Sequence, residues 1–485
     1  MPKGSKCSLL STSNFCYHRF TMKLLKFSPI ALLITLLSFS PNAIEPLAWK
    51  TFALFASTIL ALILQSASMG AVGFISLSVG ALIGAFTIKD AIAGFGAPLV
   101  WQIVTVFFIA RGFVKTGLSK RISFHIIKFF GRNVLGLSYG FVFANFTLGP
   151  LIPSCAARIG GIIFPIVRSV SETLGSDPEN GTHKKIGSFL TLLCLYGNAI
   201  VSATFLTAMA GNLIIKSLAS DVGLQLTWLN WFQASCVPAF LCILTMPLLL
   251  YTIYPPQIKD ISKTRKLIDQ ELSKLGKFSQ QEKQMTIILL SILCAWVFGD
   301  YFKIDAILAS FIGLSLLILF NILNFEKDLL TEKEAWHTLI WLSALLMLAR
   351  TLETSGFLEF LVMNLNQMLV GYSWQMALTV LVLVYGYTHY LFASNSSHVS
   401  AMYAIFLGTA IKMGAPIMLA GLVFAFTSSL FAGLYYYTST EAVILYNSKY
   451  VPMKDFFKYG IIITTYLFLL WMLSGIVWWK MIGLY

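Results

Sequence analysis

Two cations stand four residues past a serine in apolar surroundings: Arg158 after Ser154 and His398 after Ser394. Four residues is one helical turn, so each cation shares a face with its serine and reaches back toward the helix start. Just upstream, FTLGPLIPSC at 146–155 cannot continue a helix, because two prolines and a glycine interrupt it. Ser154 can then cap a new helix over 156–170. In the second stretch, Tyr390-Leu391-Phe392-Ala393 leads into Ser394-Asn395-Ser396-Ser397, again cap-forming residues before an apolar helix. A helix N-terminus attracts anions through its free amides and its dipole. Two such ends with one guanidinium and one imidazole make a receptor for a ligand bearing two carboxylates. An arginine at membrane depth costs roughly 2.5–3.5 kcal/mol on insertion scales and usually marks a ligand or ion path.

The two stretches repeat. Ala110-Arg111 through Thr116-Gly117-Leu118 aligns with Ala349-Arg350 through Ser355-Gly356-Phe357, and Pro153-Ser154 through Arg158 aligns with Ala393-Ser394 through His398. An odd number of crossings separates the copies, which inverts them with respect to a membrane. Inverted repeats with a site where the copies meet are the architecture of secondary transporters.

The elements that must position these residues are membrane helices. Of 485 residues, 57% are hydrophobic and 11% charged, against roughly 25% charged in soluble domains. Apolar runs of about 20 residues recur along the chain, and barrel strands would read as short alternating segments. The expected fold is all-α and polytopic: about 11 crossings plus two re-entrant hairpins, near 135–171 and 375–412. Residues 1–47 form an N-terminal segment and first helix, 48–254 the first repeat, 255–284 a basic linker and 285–485 the second repeat. A net charge of +14 is not a nucleic-acid signature here. With the N-terminus in the cytoplasm, three basic segments, 115–132, 259–283 and 449–458, fall on one side, as the positive-inside rule asks. Residues 1–22 lack acids and, with the apolar run after Met22, read as an uncleaved anchor or short helix in preference to a cleaved signal.

Other features carry less chemistry. Seven cysteines (7, 16, 155, 194, 236, 242 and 294) form no Cys-x-x-Cys pair and read as reduced apolar residues. Glu334 and His337 have the spacing of a di-iron bundle but lack its partners, so no metal or other cofactor is expected. Glu441 and Lys449 suggest an ion pair at headgroup level. Thr207 and Asn212, with Ser428, Ser429, Thr438 and Ser439, either line a cavity where helices unwind or pack helices together. No motif of an intramembrane enzyme is present. An anion channel stays open as a rival, to be separated by counter-transport.

The serine-led tips resemble those of the divalent anion:sodium symporter family. Pro153-Ser154 through Arg158, Gly160-Gly161 and Phe164-Pro165, with His389 through Ser394 and His398, are closest to the 2-oxoglutarate/malate translocators. Phe205 through Ala210 and Leu430-Phe431 are similar to that group's helices after each hairpin, and the resemblance spans about residues 48–482. It implies a homodimer in a bacterial inner membrane or plastid inner envelope, with an elevator-like mobile domain that exchanges dicarboxylates. It also implies substrate contacts from Ser154, Arg158, Ser394, Asn395, Ser396, His398 and Thr207, with the Arg and His taking over the charge role of sodium. Cys155-Ala156 departs from the family's Ser-Asn-Thr tip. A thiol is a poor ligand for a hard cation, which disfavours sodium coupling. The oxygens of Ser394 and Asn395 leave a residual sodium site, and with it a sodium-coupled symporter, as the alternative.

Overall fold

The computed structural model of the chain describes residues 27–39, 41, 44–357, 360, 362–363, 371–392 and 394–485. The basic stretch 1–22, Cys7, Cys16 and Ala393 lie outside these. Among the described residues every regular element is a helix. Among them, eight helices are long and apolar enough to cross a membrane. Leu469, Leu473, Ile476 and Val477 on Met453–Met481, and Phe240, Leu244 and Leu248 on Trp228–Ile253, point outward. Such bands of exposed apolar side chains suit lipid and not water.

The chain divides into two compact units. One comprises residues 1–95 and 340–360. In it Ser28–Ser38 packs on Pro46–Ile63, with Trp49 Nε1 donating to the Leu36 carbonyl at 2.7 Å. Pro46–Ile63 meets Met69–Leu82 where the Thr58 and Ser76 hydroxyls lie 2.8 Å apart, and Phe52 stacks on Phe357.

The other unit, 96–339 and 361–485, holds every residue singled out above for chemistry. At its centre, all 18 residues of Gly187–Thr204 are buried. An apolar helix enclosed on every side must satisfy its polar side chains inside the protein, and Asn198 and Ser202 do so at the site. Around it the chain breaks in four places. Two breaks turn one helix into the next: Val134–Leu148 into Cys155–Arg158, and Trp374–Tyr387 into Asn395–Lys412. Two interrupt a helix that then resumes: Gly187–Thr204 restarts as Ala210–Asp221, and Ile417–Leu430 restarts as Thr440–Asn447.

The polar stretch 255–284 contains a helix, Ser262–Leu275. Arg121 on Leu118–Phe130 donates to Glu282 and to the carbonyls of Leu275 and Gly276, and Lys128 meets Asp269 at 2.6 Å. Tyr254 donates to Asp455 at 2.9 Å. The first two basic segments thus pack on each other, and Asp455 in the third meets the chain just before the linker.

Candidate functional site

The first tip is built by the residues that stop the helix. After Val134–Leu148 comes a 3-10 turn, Gly149–Leu151, then Ile152 and Pro153. A Cβ on Gly149 would lie 2.5 Å from Val201 Cγ1, so glycine is what lets the turn approach the buried helix. Ser154 is the N-cap of Cys155–Arg158, its Oγ accepting from the Ala157 amide at 3.1 Å. The hydroxyl proton goes to Glu334 Oε2 at 2.9 Å. A π-helical turn, Ile159–Ile163, follows, a distortion often found at functional sites. Pro165 then enters the next helix, Phe164–Thr173, in its first turn, where its missing N–H is tolerated.

Arg158 is fully buried. Its Nε donates to Asn145 Oδ1 at 2.8 Å, Nη1 to the carbonyls of Ile152 and Ala208, and Nη2 to Asn198 Oδ1 at 2.6 Å, with Ser202 Oγ and Cys155 Sγ alongside. All five N–H groups of the guanidinium are met by protein acceptors in this conformation.

The Ala208 carbonyl is free to accept because the helix there is broken. Phe205 is extended, Leu206–Ala208 makes one 3-10 turn and Met209 is extended again. Asn212 Nδ2 takes two more carbonyls stranded by the break, Ser202 at 2.7 Å and Phe205 at 3.0 Å. The Thr207 hydroxyl donates to the Pro150 carbonyl and accepts from Trp228 Nε1. Thr207 also lines a small pocket of about 130 Å³. In the second broken helix, Ser429 donates to Asn212 Oδ1 and Thr438 to the Ala432 carbonyl. The two breaks are joined by these small polar groups, which here pack helix segments together, Thr207 lining the small pocket besides.

The second tip repeats the plan with different chemistry. Ser394 stands at the N-cap of Asn395–Lys412, but its hydroxyl does not cap the helix amides. The His398 amide bonds to the Ser394 carbonyl as the Arg158 amide does to Ser154, which confirms the one-turn spacing in both tips. Asn395 Nδ2 donates to the Ser428 carbonyl at 2.6 Å. A Cβ on Gly211 would lie 2.8 Å from Asn395 Oδ1, so a bare glycine admits this amide beside the first break. His398 is buried, its Nε2 within 3.0 Å of both the Tyr385 carbonyl and the Thr388 hydroxyl. Because a carbonyl only accepts, Nε2 carries the proton. The His389 ring lies against it, centroids 3.7 Å apart. Among the described residues Asn395 Oδ1, His389 Nδ1 and His398 Nδ1 have no hydrogen-bond partner.

Both tips therefore end on one stretch of chain, Arg158 on Ala208 and Asn395 beside Gly211. Among the described residues they do not surround a single open cavity. Ser154 and Ala157 line a cleft of about 340 Å³, whereas Arg158, Asn395 and His398 are packed in protein and Ser394 and Ser396 are half-buried. Cys155 turns its thiol inward to the Ser202 hydroxyl and the Ala208 carbonyl.

Besides the cap at Ser394, a second sequence expectation fails. Glu441 is not paired with Lys449 at a headgroup surface; among the described residues no ion pair joins them. Glu441 is buried in the first turn of Thr440–Asn447 and accepts from Asn198 Nδ2 at 3.1 Å. The helix dipole favours a carboxylate there, and Asn198 links it to Arg158. Asn145, Asn198, His389 and Glu441 were not singled out from sequence as site residues. Their signal was available, since a polar amide or carboxylate inside a membrane-length apolar run needs a partner.

With this geometry in hand, comparison with known proteins is direct. The profile of the sodium:sulfate symporter transmembrane region matches residues 20–485. A protein of Bacillus subtilis (strain 168), named only provisionally as a malate transporter, is 43% identical over 447 residues, 92% of this chain and 93% of that one. The chloroplastic dicarboxylate transporter 1 of Spinacia oleracea is 38% identical, covering 92% of this chain and 79% of its own. The L-tartrate/succinate antiporter of Shigella sonnei (strain Ss046) is 30% identical over 90% and 94%. The resemblance read from the two tips extends along nearly the whole sequence, and the chain belongs to the sodium:sulfate symporter family of multi-pass membrane transporters.

Proposed function

We propose that this protein exchanges small dicarboxylates of the 2-oxoglutarate/malate type across a membrane. The observation that carries the reading is the meeting of both serine-led tips on residues 208–211, one bringing a guanidinium and the other an imidazole. Relatives named as dicarboxylate transporters and as an antiporter support the substrate class and the exchange. Ser154, Ser394, Asn395, Ser396 and Thr207 offer the hydrogen bonds, and Arg158 and His398 the charge. A dicarboxylate brings two negative charges, of which two helix ends offset about half a charge each. A fixed cation is therefore needed in a site shielded from water.

The mechanism in this reading is an elevator within a homodimer, with no chemical conversion of the substrate. Arg158 to Ala208, Asn212 to Ser429 and Asn198 to Glu441 tie the two tips and two broken helices into one body that can travel intact. The membrane is a bacterial inner membrane or a plastid inner envelope, and the N-terminus is cytoplasmic.

Sodium-coupled symport is the second reading, favoured by the family's description and by the unpaired Asn395 Oδ1. The fit is poor. A hard cation wants several oxygens, but the side chains nearest this amide include His389, and the thiol at Cys155 faces protein groups. We therefore favour exchange without sodium and without any cofactor.

The deciding experiment is uptake of labelled 2-oxoglutarate into malate-loaded and empty proteoliposomes, in sodium and in choline. Stimulation by internal malate with no cation preference is the expected result. Equal uptake into empty vesicles with a sodium requirement would mean symport, and conductance without counter-transport would mean a channel.

A further inference from the structure

Ser154 has one hydroxyl proton. Its oxygen accepts from the Ala157 amide as helix cap, and its proton is given to Glu334 Oε2 at 2.9 Å. An ionised carboxylate accepts only, and a carboxylate is the group that a dicarboxylate would present to this tip. The protein has thus placed its own carboxylate where a substrate carboxylate would be received. One hydroxyl proton cannot serve both.

Glu334 is well placed to come and go. It is exposed, in the first turn of Lys333–Thr354, and it stands at the cleft of about 340 Å³ that Ser154, Arg111 and Lys333 also line. Arg111 is shared with Glu332 at 3.7 Å, and among the described residues Glu334 makes no ion pair. Ser154 and Glu334 are far apart in sequence and on different helices, so their bond ties the first tip to a helix outside the hairpin.

We infer that Glu334 is a tethered competitor of the substrate: it holds Ser154 while the carrier is empty and is displaced by an entering dicarboxylate. The inference rests on the exchange reading. A tip pinned only when empty disfavours reorientation of the empty site, and that is the condition for exchange without leak. The same contact lowers apparent affinity, because only the fraction of sites with Ser154 free can bind. A hydrogen bond to a charged group shifts such a fraction by roughly ten-fold.

The test uses the full chain in proteoliposomes, comparing wild type with Glu334→Ala and Glu334→Gln. Labelled 2-oxoglutarate uptake is measured into empty and malate-loaded vesicles, with the half-saturating concentration for each. Glu334→Ala should raise uptake into empty vesicles by about ten-fold, pull the loaded-to-empty ratio toward one and lower half-saturation. Glu334→Gln, which keeps an acceptor but loses the charge, should fall between. Glu334→Gln is isosteric at an exposed position, so it decides the matter if the alanine variant does not fold. Wild-type ratio and half-saturation in the folded variants would overturn the inference. Absence of trans-stimulation in wild type would instead overturn the exchange reading, while the half-saturation of the variants would still score the competition at Ser154.

Discussion

Arg158 and Glu441, 283 residues apart in sequence, are joined by the two ends of one amide. Asn198 accepts from the guanidinium through Oδ1 at 2.6 Å and donates to the carboxylate through Nδ2 at 3.1 Å. The positive charge of the first tip is thereby balanced, at one remove, by a negative charge at the restart of the second broken helix.

Replacing Glu441 by Gln removes that balancing charge while leaving an acceptor for Asn198. Arg158 then acts more fully on an entering anion. The expected outcome is a lower half-saturating concentration and a slower maximal exchange rate, because release is slowed. Initial rates over a range of 2-oxoglutarate concentrations check it; a higher half-saturation would mean that Glu441 only holds the fold.

Arg158→Ala should abolish nearly all exchange and lower the melting temperature in detergent. It strips the acceptors Asn145, Asn198 and the Ala208 carbonyl of their donor, at a cost on the order of 3 kcal/mol. Arg158→Lys should restore only part of either property, since an ammonium has three N–H groups for acceptors that a planar guanidinium meets with five. Full exchange by a folded alanine variant would sink the counter-charge role.

His398→Gln tests the second tip. Glutamine can still donate to the Tyr385 carbonyl but cannot titrate. Binding should weaken, and exchange should depend less on pH than it does in wild type. An unchanged pH profile would place the titrating group elsewhere, with His389, whose ring lies against that of His398, the next residue to vary.

Asp328 makes a prediction about stability. Burial alone would raise its carboxyl, but the Lys115 ammonium at 2.6 Å and the Asn324 amide outweigh burial and hold it below its ordinary value of 3.8. A depressed folded-state value contributes stability that is present above the ordinary value and lost as pH falls through the lower one. Asp328→Asn should therefore reduce thermal stability at neutral pH. The difference from wild type should shrink only in strong acid, below the ordinary carboxylate range, and melting curves in a pH series measure it.

How much of this was legible in the residues follows from the range over which each signal acts. Gly149, Pro150 and Pro153 stop a helix wherever they stand, Ser154 caps the next one, and the four-residue step to Arg158 is a property of any α-helix. The apolar runs likewise dictate membrane helices. These are local effects, and the structure contains all of them. Ser394 is the local signal that fell short, since it occupies the cap position without capping.

What each side chain touches was not legible, because it depends on which distant backbone is left unpaired. Arg158 reads as a charge free to meet a ligand, yet a broken helix 50 residues on strands the Ala208 carbonyl beside it, and that carbonyl must find a donor. Glu441 reads as a surface ion until Asn198, on a helix with no exposed residue, is seen to need an acceptor. Glu334 reads as half of an unfinished metal motif, and only the folding of the first tip against residues 331–334 sets it on Ser154. Helix breaks are written in local sequence, but the hydrogen bonds they leave unmade are completed across the fold, where burial leaves no water to complete them.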